Sequence, residues 1–327
     1  MQQRPFGQTN LAVSSLGLGC SRLGGNLQDG NRQQAIKTLQ KALDAGINFY
    51  DTADSYGQGQ SERLLGKAFK KSRDRVILAT KAGYCLSPMG SLASRVKPIL
   101  KPLVRLLKPK SSSLAQAKGS LLRQNFTRDY LIQSVESSLR RLQTDHLDLF
   151  QLHSPSTAIL QAGEIFETLA VLKQQGKLRY YGVSCETLED ALFCLQVPGI
   201  SALQVEINLL DQRAISELLP RAKQAGIAIV ARQPFASGKL FQNPVNSPES
   251  ACIERYSQLA QQYDRSLSHL ALQFVHQLEG VSTVIAGANS ISHLTDNVSA
   301  LEAALSPEQM NTLLAASSTA ATAQLAP

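Results

Sequence analysis

The sequence predicts a (β/α)₈ TIM barrel of the α/β class, with an N-terminal β-hairpin and an extended insertion between the third and fourth barrel strands. Three observations carry this. An amphipathic helical stretch ending in Gly and followed by a short β-branched or aromatic run recurs along the chain. The runs are apolar without clean alternation, as in parallel strands covered on both faces. Finally, Asp51, Lys81, His153, Ser184 and Arg232 fall at or just beyond the C-terminal ends of successive runs. A barrel gathers those ends around one rim, whereas an open sheet spreads them along an edge.

Taken in order, residues 2–15 read as a hairpin turning at Gly7-Gln-Thr-Asn10. The first barrel strand is Leu16–Cys20. Helix Gln33–Ala45 leads through Gly46 into Ile47-Asn-Phe-Tyr-Asp51, and Val76–Thr80 and Leu147–Leu152 supply the third and fourth strands. Ile165–Gln175 leads through Gly176 into Leu178–Ser184, Ala202–Glu206 follows, and Ile215–Ala225 leads through Gly226 into Ile227–Ala231. Val281–Ala286 closes the set. Glycine at each junction suits the left-handed residue that ends a helix. Gly17-Leu-Gly19 followed by Cys-Ser-Arg-Leu-Gly24 is a poor match to the Gly-x-Gly-x-x-Gly of a dinucleotide-binding open sheet. The expected organisation is one domain over residues 1–316, with residues 317–327, rich in Ala, Ser and Thr, as a disordered tail.

Composition narrows the class. With 43% hydrophobic and 18% charged residues the chain is globular. No apolar run approaches the ~20 residues of a membrane helix, and the polar start Met-Gln-Gln-Arg-Pro-Phe-Gly lacks a signal-peptide core. Five scattered cysteines without a Cys-x-x-Cys pair read as reduced thiols in a cytoplasmic protein and argue against a structural zinc site. The remaining histidines, His146, His269, His276 and His293, have no metal-ligand spacing. The formal charge is +8, but residues 84–126 hold eight Lys/Arg and no Asp or Glu, so the rest of the chain balances. A basic body for nucleic acid is therefore not expected.

Tyr56 lies five residues beyond Asp51, Lys81 follows Val76–Thr80, and His153 follows Leu147–Leu152. Each alone has a plain structural reading: a turn tyrosine, a helix-capping aspartate, a packed histidine. Together on one rim they suit carbonyl reduction. The developing alkoxide needs a proton, and a phenol with a pKa near ~10 gives one up reluctantly. A neighbouring ammonium is expected to lower that pKa, a carboxylate to hold the ammonium, and an imidazole to orient the substrate oxygen. The group contains no electron source, so a hydride-donating cofactor is required.

Gly46-Ile-Asn-Phe-Tyr-Asp-Thr-Ala-Asp-Ser-Tyr-Gly57, Ser61-Glu-Arg-Leu-Leu-Gly66, Ala79-Thr-Lys81 and Gln151-Leu-His-Ser-Pro155 resemble the signature of the aldo-keto reductases. The resemblance continues through Gly182-Val-Ser184, Leu203-Gln204 and Gly287-Ala288 to Asp296-Asn297, covering nearly the whole chain except residues 84–126. It implies reduction of an aldehyde or ketone, or the reverse, with NADPH as coenzyme and NADH left open. Tyr56 would be the general acid–base, Lys81 its pKa modulator, His153 the substrate orienter and Asp51 the partner of Lys81. Ser184 and Gln204 would bind the nicotinamide carboxamide. The loop from Arg232 to Leu240, with Gln233, Phe235 and Ser237, would cover the cofactor, and Gly287, Asn289 and Asn297 would complete its site. The sequence departs from the common pattern at Cys185, where many members have Asn, and at Arg232, where many carry a stacking aromatic. Gly287-Ala-Asn-Ser290 has no Lys or Arg for a 2′-phosphate, and His293 stands where some have Arg. Phosphate binding is then expected from Asn289, Ser290 and a helix N-terminus.

The fourth departure is the basic stretch 84–126. Val96, Leu100, Leu103 and Leu107 with Lys97, Lys101, Arg105 and Lys108 suggest an amphipathic helix, which Pro98, Pro102 and Pro109 interrupt. A substrate-covering lid is the leading account, then contact with a membrane surface or an acidic partner, then disorder. The competing function is a cofactor-sensing regulatory or partner-binding subunit with little turnover. The substrate and oligomeric state are not legible.

Overall fold

The computed structural model describes residues 1–23, 29–86, 122–242 and 249–323. In chain order the strands are β1 (Gln3–Pro5), β2 (Ala12–Ser14), β3 (Leu16–Gly19), β4 (Phe49–Asp51), β5 (Ile77–Ala82), β6 (Tyr84–Leu86), β7 (Leu122–Gln124), β8 (Leu147–His153), β9 (Leu178–Ser184), β10 (Ala202–Glu206), β11 (Ala228–Arg232) and β12 (Val281–Gly287). Eight of them, β3, β4, β5, β8, β9, β10, β11 and β12, pair in that order into a closed parallel barrel, β12 returning to β3. This is the expected (β/α)₈ architecture. Among the described residues no helix is long and apolar enough to cross a membrane.

Side chains alternate across a strand, so each strand sends one set inward and the other toward the surrounding helices. Phe49, Ile77, Ala79, Leu149, Ala202, Ala228, Val230 and Ile285 form the inner cluster, while Tyr50, Leu78, Phe150, Val183, Leu203, Ile229 and Val284 join the larger core beneath the helices. The inner parity carries upward to Asp51, Lys81, His153, Ser184, Gln204, Arg232 and Gly287. The barrel interior is thus apolar low down and polar at its C-terminal rim. At the bottom, β1 and β2 pair antiparallel, Gln3 opposite Ser14. Their Phe6, Leu11 and Val13 belong to the same inner cluster and close that end.

Two glycine positions show why the chain turns and packs as it does. Helix Arg213–Ala225 ends at Gly226 with φ 68°, its N–H reaching Ala222 and Lys223 carbonyls, and the left-handed turn recurs at Gly46 and Gly176. At Gly182 a Cβ would lie 2.1 Å from the Ala202 carbonyl oxygen, so β9 and β10 approach this closely only because the residue is glycine.

Three differences from expectation stand out. β5 runs to Ala82, so Lys81 lies inside the strand. The last helix spans Pro307–Ala323, into the stretch expected to be a disordered tail; alanine's high helix propensity accounts for the continuation. Residues 324–327 lie outside the described residues. The third concerns the insertion, whose two ends form an antiparallel ribbon, Tyr84 opposite Gln124 and Leu86 opposite Leu122. The amphipathic helix read over Val96–Lys108, its prolines and the lid or surface contact expected of it lie outside the described residues.

Candidate active site

The barrel register sets the rim. Gly19 lies beside Asp51, Asp51 beside Ala79, Lys81 beside Gln151, and His153 beside Ser184. Tyr56 comes from the loop after β4. That loop is pinned to β5, Thr52 N–H donating to the Ala79 carbonyl (2.8 Å) and Asp54 N–H to that of Lys81 (3.0 Å). The Thr52 hydroxyl donates to Ser61 (2.7 Å), fixing the loop against helix Gln60–Phe69.

Lys81 is 1% exposed, and Nζ donates to both oxygens of Asp51 at 2.7 Å and to the Thr52 carbonyl at 2.9 Å. A buried ammonium is tolerated only with such partners, and here its three donors are all engaged. Gln204 Nε2 donates to Asp51 Oδ1 (2.8 Å), and Ser184 Oγ donates to Gln204 Oε1 (3.1 Å). The Tyr56 ring lies 5.2 Å from Lys81 Nζ and meets the His153 ring edge-on at 5.9 Å. On its other side His153 is met edge-on by Tyr84 at 4.9 Å.

Electrostatics refine the expectation for the phenol. Burial is the largest influence on Tyr56 and raises its pKa; Lys81 opposes this, Asp51 adds to it, and the net direction is upward. The expected lowering by Lys81 is therefore present but outweighed, chiefly by burial, with Asp51 adding to it. Burial opposes the charge on Lys81, yet Asp51 and Tyr56 outweigh it and raise its pKa. His153 is pushed down to about 3 by burial and by Lys81 and Arg232, so its imidazole is neutral. Its Nδ1 is buried without a hydrogen-bond partner among the described residues.

A cavity of about 590 Å³ opens over this group. Of the residues singled out from sequence, Asp51, Tyr56, Lys81, His153, Ser184, Gln204, Arg232, Gln233, Phe235, Ser237, Gly287 and Asn289 line it. Asn297 does not; it is buried and donates to the Gly287 carbonyl (3.3 Å), holding the end of β12. Arg232 is held by the Cys185 carbonyl (3.2 Å) and by Glu206 (3.6 Å) and Glu186 (3.8 Å). Its Nε is buried without a partner among the described residues. The loop beyond it bends sharply, with positive φ at the non-glycine residues Gln233, Ala236 and Ser237. Such backbone is costly and concentrates where ligands are gripped.

Tyr84, Arg22, Glu186, Phe241 and His293 also line the cavity. Gln151, close below Asp51, is buried too. Inward parity two residues before His153 would have found Gln151. Tyr84 and Arg22 carry no local signal, because they depend on how the loops fold back.

The wall of the cavity also has open backbone and a helix end that suit a nucleotide coenzyme. A Cβ on Gly19 or Gly287, paired on adjacent strands, would meet nothing closer than 3.7 Å, so these glycines leave open backbone at the wall without relieving any clash. Beyond Asn289, helix Ile291–Ser299 presents its N-terminus, capped by Ser290. Such an end favours phosphate.

The aldo/keto reductase family model matches residues 15–317. The chain belongs to the aldo/keto reductase family. Its members are oxidoreductases that act on carbonyls with NAD(P)H. Among solved structures, the holo form of aldo-keto reductase AKR11C1 from Bacillus halodurans matches with a TM-score of 0.78 and 32% identity, over 97% of this chain and 96% of that one. An aldo-keto reductase from Klebsiella pneumoniae in complex with NADPH matches with a TM-score of 0.69 and 27% identity, over 96% and 94%. A relative described as the NADH-specific methylglyoxal reductase of Escherichia coli (strain K12) is 28% identical, over 94% of this chain and 95% of its own length.

Proposed function

We propose that this aldo/keto reductase interconverts a small aldehyde or ketone and its alcohol, with Tyr56 as the proton donor and NADPH as coenzyme. The observation that supports it most is the buried Asp51–Lys81 pair, bonded at 2.7 Å, beneath the Tyr56 ring in the cavity that Ser184 and Gly287 also line. When bound, NADPH supplies the hydride. Tyr56 delivers its hydroxyl proton to the substrate oxygen, and the Lys81 ammonium beneath the ring offsets part of the charge left on the phenol. Asp51 holds Lys81, and Gln204 holds Asp51, so together they fix where that charge sits. His153 stays neutral, and with its single N–H on Nε2 it would donate to the substrate oxygen. Arg232, Gln233, Phe235 and Ser237 bound the coenzyme side, with Arg232 offering a planar guanidinium where an aromatic would stack.

For a 2′-phosphate the positive features at hand are Arg22 on the cavity wall and the helix end after Ser290. Asn289 and His293 stand beside them. Tyr84 and Phe241 bound the substrate end. The test runs a panel of aldehydes, ketones and alcohols in parallel with NADPH and NADH. Steady coenzyme turnover, faster with NADPH and abolished in Tyr56→Phe, is expected. Tight NADPH binding, measured by fluorescence quenching, with no turnover of any carbonyl would overturn the reading.

A further inference from the structure

We infer that Asp54 and Tyr130 are positioning residues that hold Tyr84 against His153, so that one proton on Asp54 sets how firmly the substrate-side wall is anchored. The inference rests on the proposed reading in one respect only, that the substrate oxygen meets His153.

Asp54 lies two residues before Tyr56, and its side chain serves neither the coenzyme cavity nor a helix cap, since helix Gln60–Phe69 follows Gly59 with no side-chain cap. The Tyr130 hydroxyl, from helix Arg128–Leu142, stands 3.2 Å from Asp54 Oδ2 and 3.2 Å from the Tyr84 carbonyl oxygen. It has one hydrogen for two acceptors. Asp54 Oδ1 is buried with no hydrogen-bond partner among the described residues. An ionised carboxylate buried with an orphan oxygen is unfavourable, whereas a protonated acid supplies a donor.

The charged and titratable groups facing Asp54 are Glu62 from helix Gln60–Phe69 and, from helix Arg128–Leu142, Tyr130 and Arg141. Glu62 is fully buried, paired with Arg141 and bonded by the Thr80 hydroxyl at 2.8 Å. Burial first and Glu62 second raise Asp54 to about 7, against the Tyr130 hydrogen bond, Arg141 and the Ser55 backbone N–H. Burial and Asp54 raise Tyr130, so the phenol keeps its hydrogen across the working range.

Two arrangements follow. When Asp54 is ionised, the charge-assisted bond draws the Tyr130 hydrogen to the carboxylate and leaves the Tyr84 carbonyl without its donor. When Asp54 is protonated, its own O–H can donate to the Tyr130 oxygen, and the Tyr130 hydrogen turns to Tyr84. The ring of Tyr84 is the edge that meets His153 at 4.9 Å. Its hydroxyl end is tethered separately, by Gln124 Nε2 at 3.3 Å, and Gln124 also donates to the Ser154 carbonyl at 2.6 Å. The carbonyl end is therefore the part the proton controls.

The full chain is assayed with a carbonyl it reduces, from pH 5.5 to 9. KM is expected to rise about 3- to 10-fold, the factor a single hydrogen bond is worth, as pH passes through about 7, with kcat changing less. Asp54→Asn, whose amide donates to Tyr130 as the protonated acid does, should keep the low-pH KM at every pH. Tyr130→Phe should show the high KM at every pH. An unchanged KM profile in either variant overturns the inference. A second measurement needs no turnover. In ¹³C-carboxyl NMR of the chain without coenzyme, the resonance missing in Asp54→Asn should titrate near 7 and move higher in Tyr130→Phe. Titration in the ordinary carboxylate range, or no movement in Tyr130→Phe, overturns the inference. A chain that turns over no carbonyl overturns the activity reading alone, and the NMR titration then decides the Asp54–Tyr130 link by itself.

Discussion

Two buried carboxylates at opposite ends of the barrel separate structure from chemistry. Asp51 stands at the C-terminal rim, beside a cavity of about 590 Å³. Asp148 stands at the N-terminal end of β8, beside a hollow of about 640 Å³ lined also by Arg73, His146 and Arg179. Both acids are almost fully buried and both face cations. Asp148 accepts from Arg73 (2.7 Å), Arg179 (2.8 Å) and Leu78 N–H (2.9 Å), so its oxygens are closed off. Around Asp51, by contrast, polar atoms remain open. His153 Nδ1, Arg232 Nε and Gln151 Oε1 are buried without partners among the described residues, and none of these three residues lines the lower hollow; Asp54 Oδ1, Arg265 Nε and Thr283 Oγ1 are also unpartnered but line neither cavity. Folding alone does not favour leaving such groups unpaired. Cavity size does not mark the working end of this molecule; the unpaired polar atoms gathered at one rim do.

Tyr56→Phe should widen that contrast most. Loss of the proton donor is expected to lower kcat about 10²- to 10⁴-fold while the unfolding temperature stays where it was. Asp148→Ala should do the reverse. It strips Arg73, Arg179 and the Leu78 amide of their acceptor and should lower stability by about 2–3 kcal/mol, less than a fully buried pair loses, because both arginines reach water. Urea unfolding beside kcat measurements checks both. A slow but stable Asp148→Ala enzyme would break the comparison.

The contrast also explains what could be read without coordinates. The strands, their glycine junctions and their closure follow from local pattern and parity. So does the rim that gathers Asp51, Lys81, His153, Ser184, Gln204 and Arg232, since strand ends carry those residues. Asn297, expected from the resemblance to complete the coenzyme site, braces β12 through the Gly287 carbonyl and does not line the cavity, because sequence gives position and not side-chain direction. Tyr84 and Tyr130 were not legible, because their roles come from a ribbon and a helix meeting over His153. The sign of the Tyr56 shift was missed for a related reason: proximity to Lys81 was readable, but the depth of burial that outweighs it was not.

Histidines at the two ends give the finest test. Burial, with Lys81 and Arg232, lowers His153 to about 3, while burial and Arg4 lower His276 to about 4. His276 lies near the barrel floor, with Nε2 2.9 Å from the Ser15 hydroxyl. An unfolded histidine takes up its proton near ~6.5, whereas these two do so in the folded chain only near 4 and 3, so the unfolded state binds more protons between those limits. Stability is therefore full above pH ~6.5 and falls as the pH drops. By pH 5 each histidine should account for roughly 1–2 kcal/mol of that loss. His276→Gln should recover its share in urea unfolding at pH 5, recover nothing at pH 8, and leave kcat and its pH profile untouched. His153→Asn should recover a similar share and yet slow turnover, since it also removes the donor to the substrate oxygen. If His276→Gln leaves the acid slope unchanged, burial is not what lowers these imidazoles, and the neutral His153 on which the substrate contact depends loses its support as well.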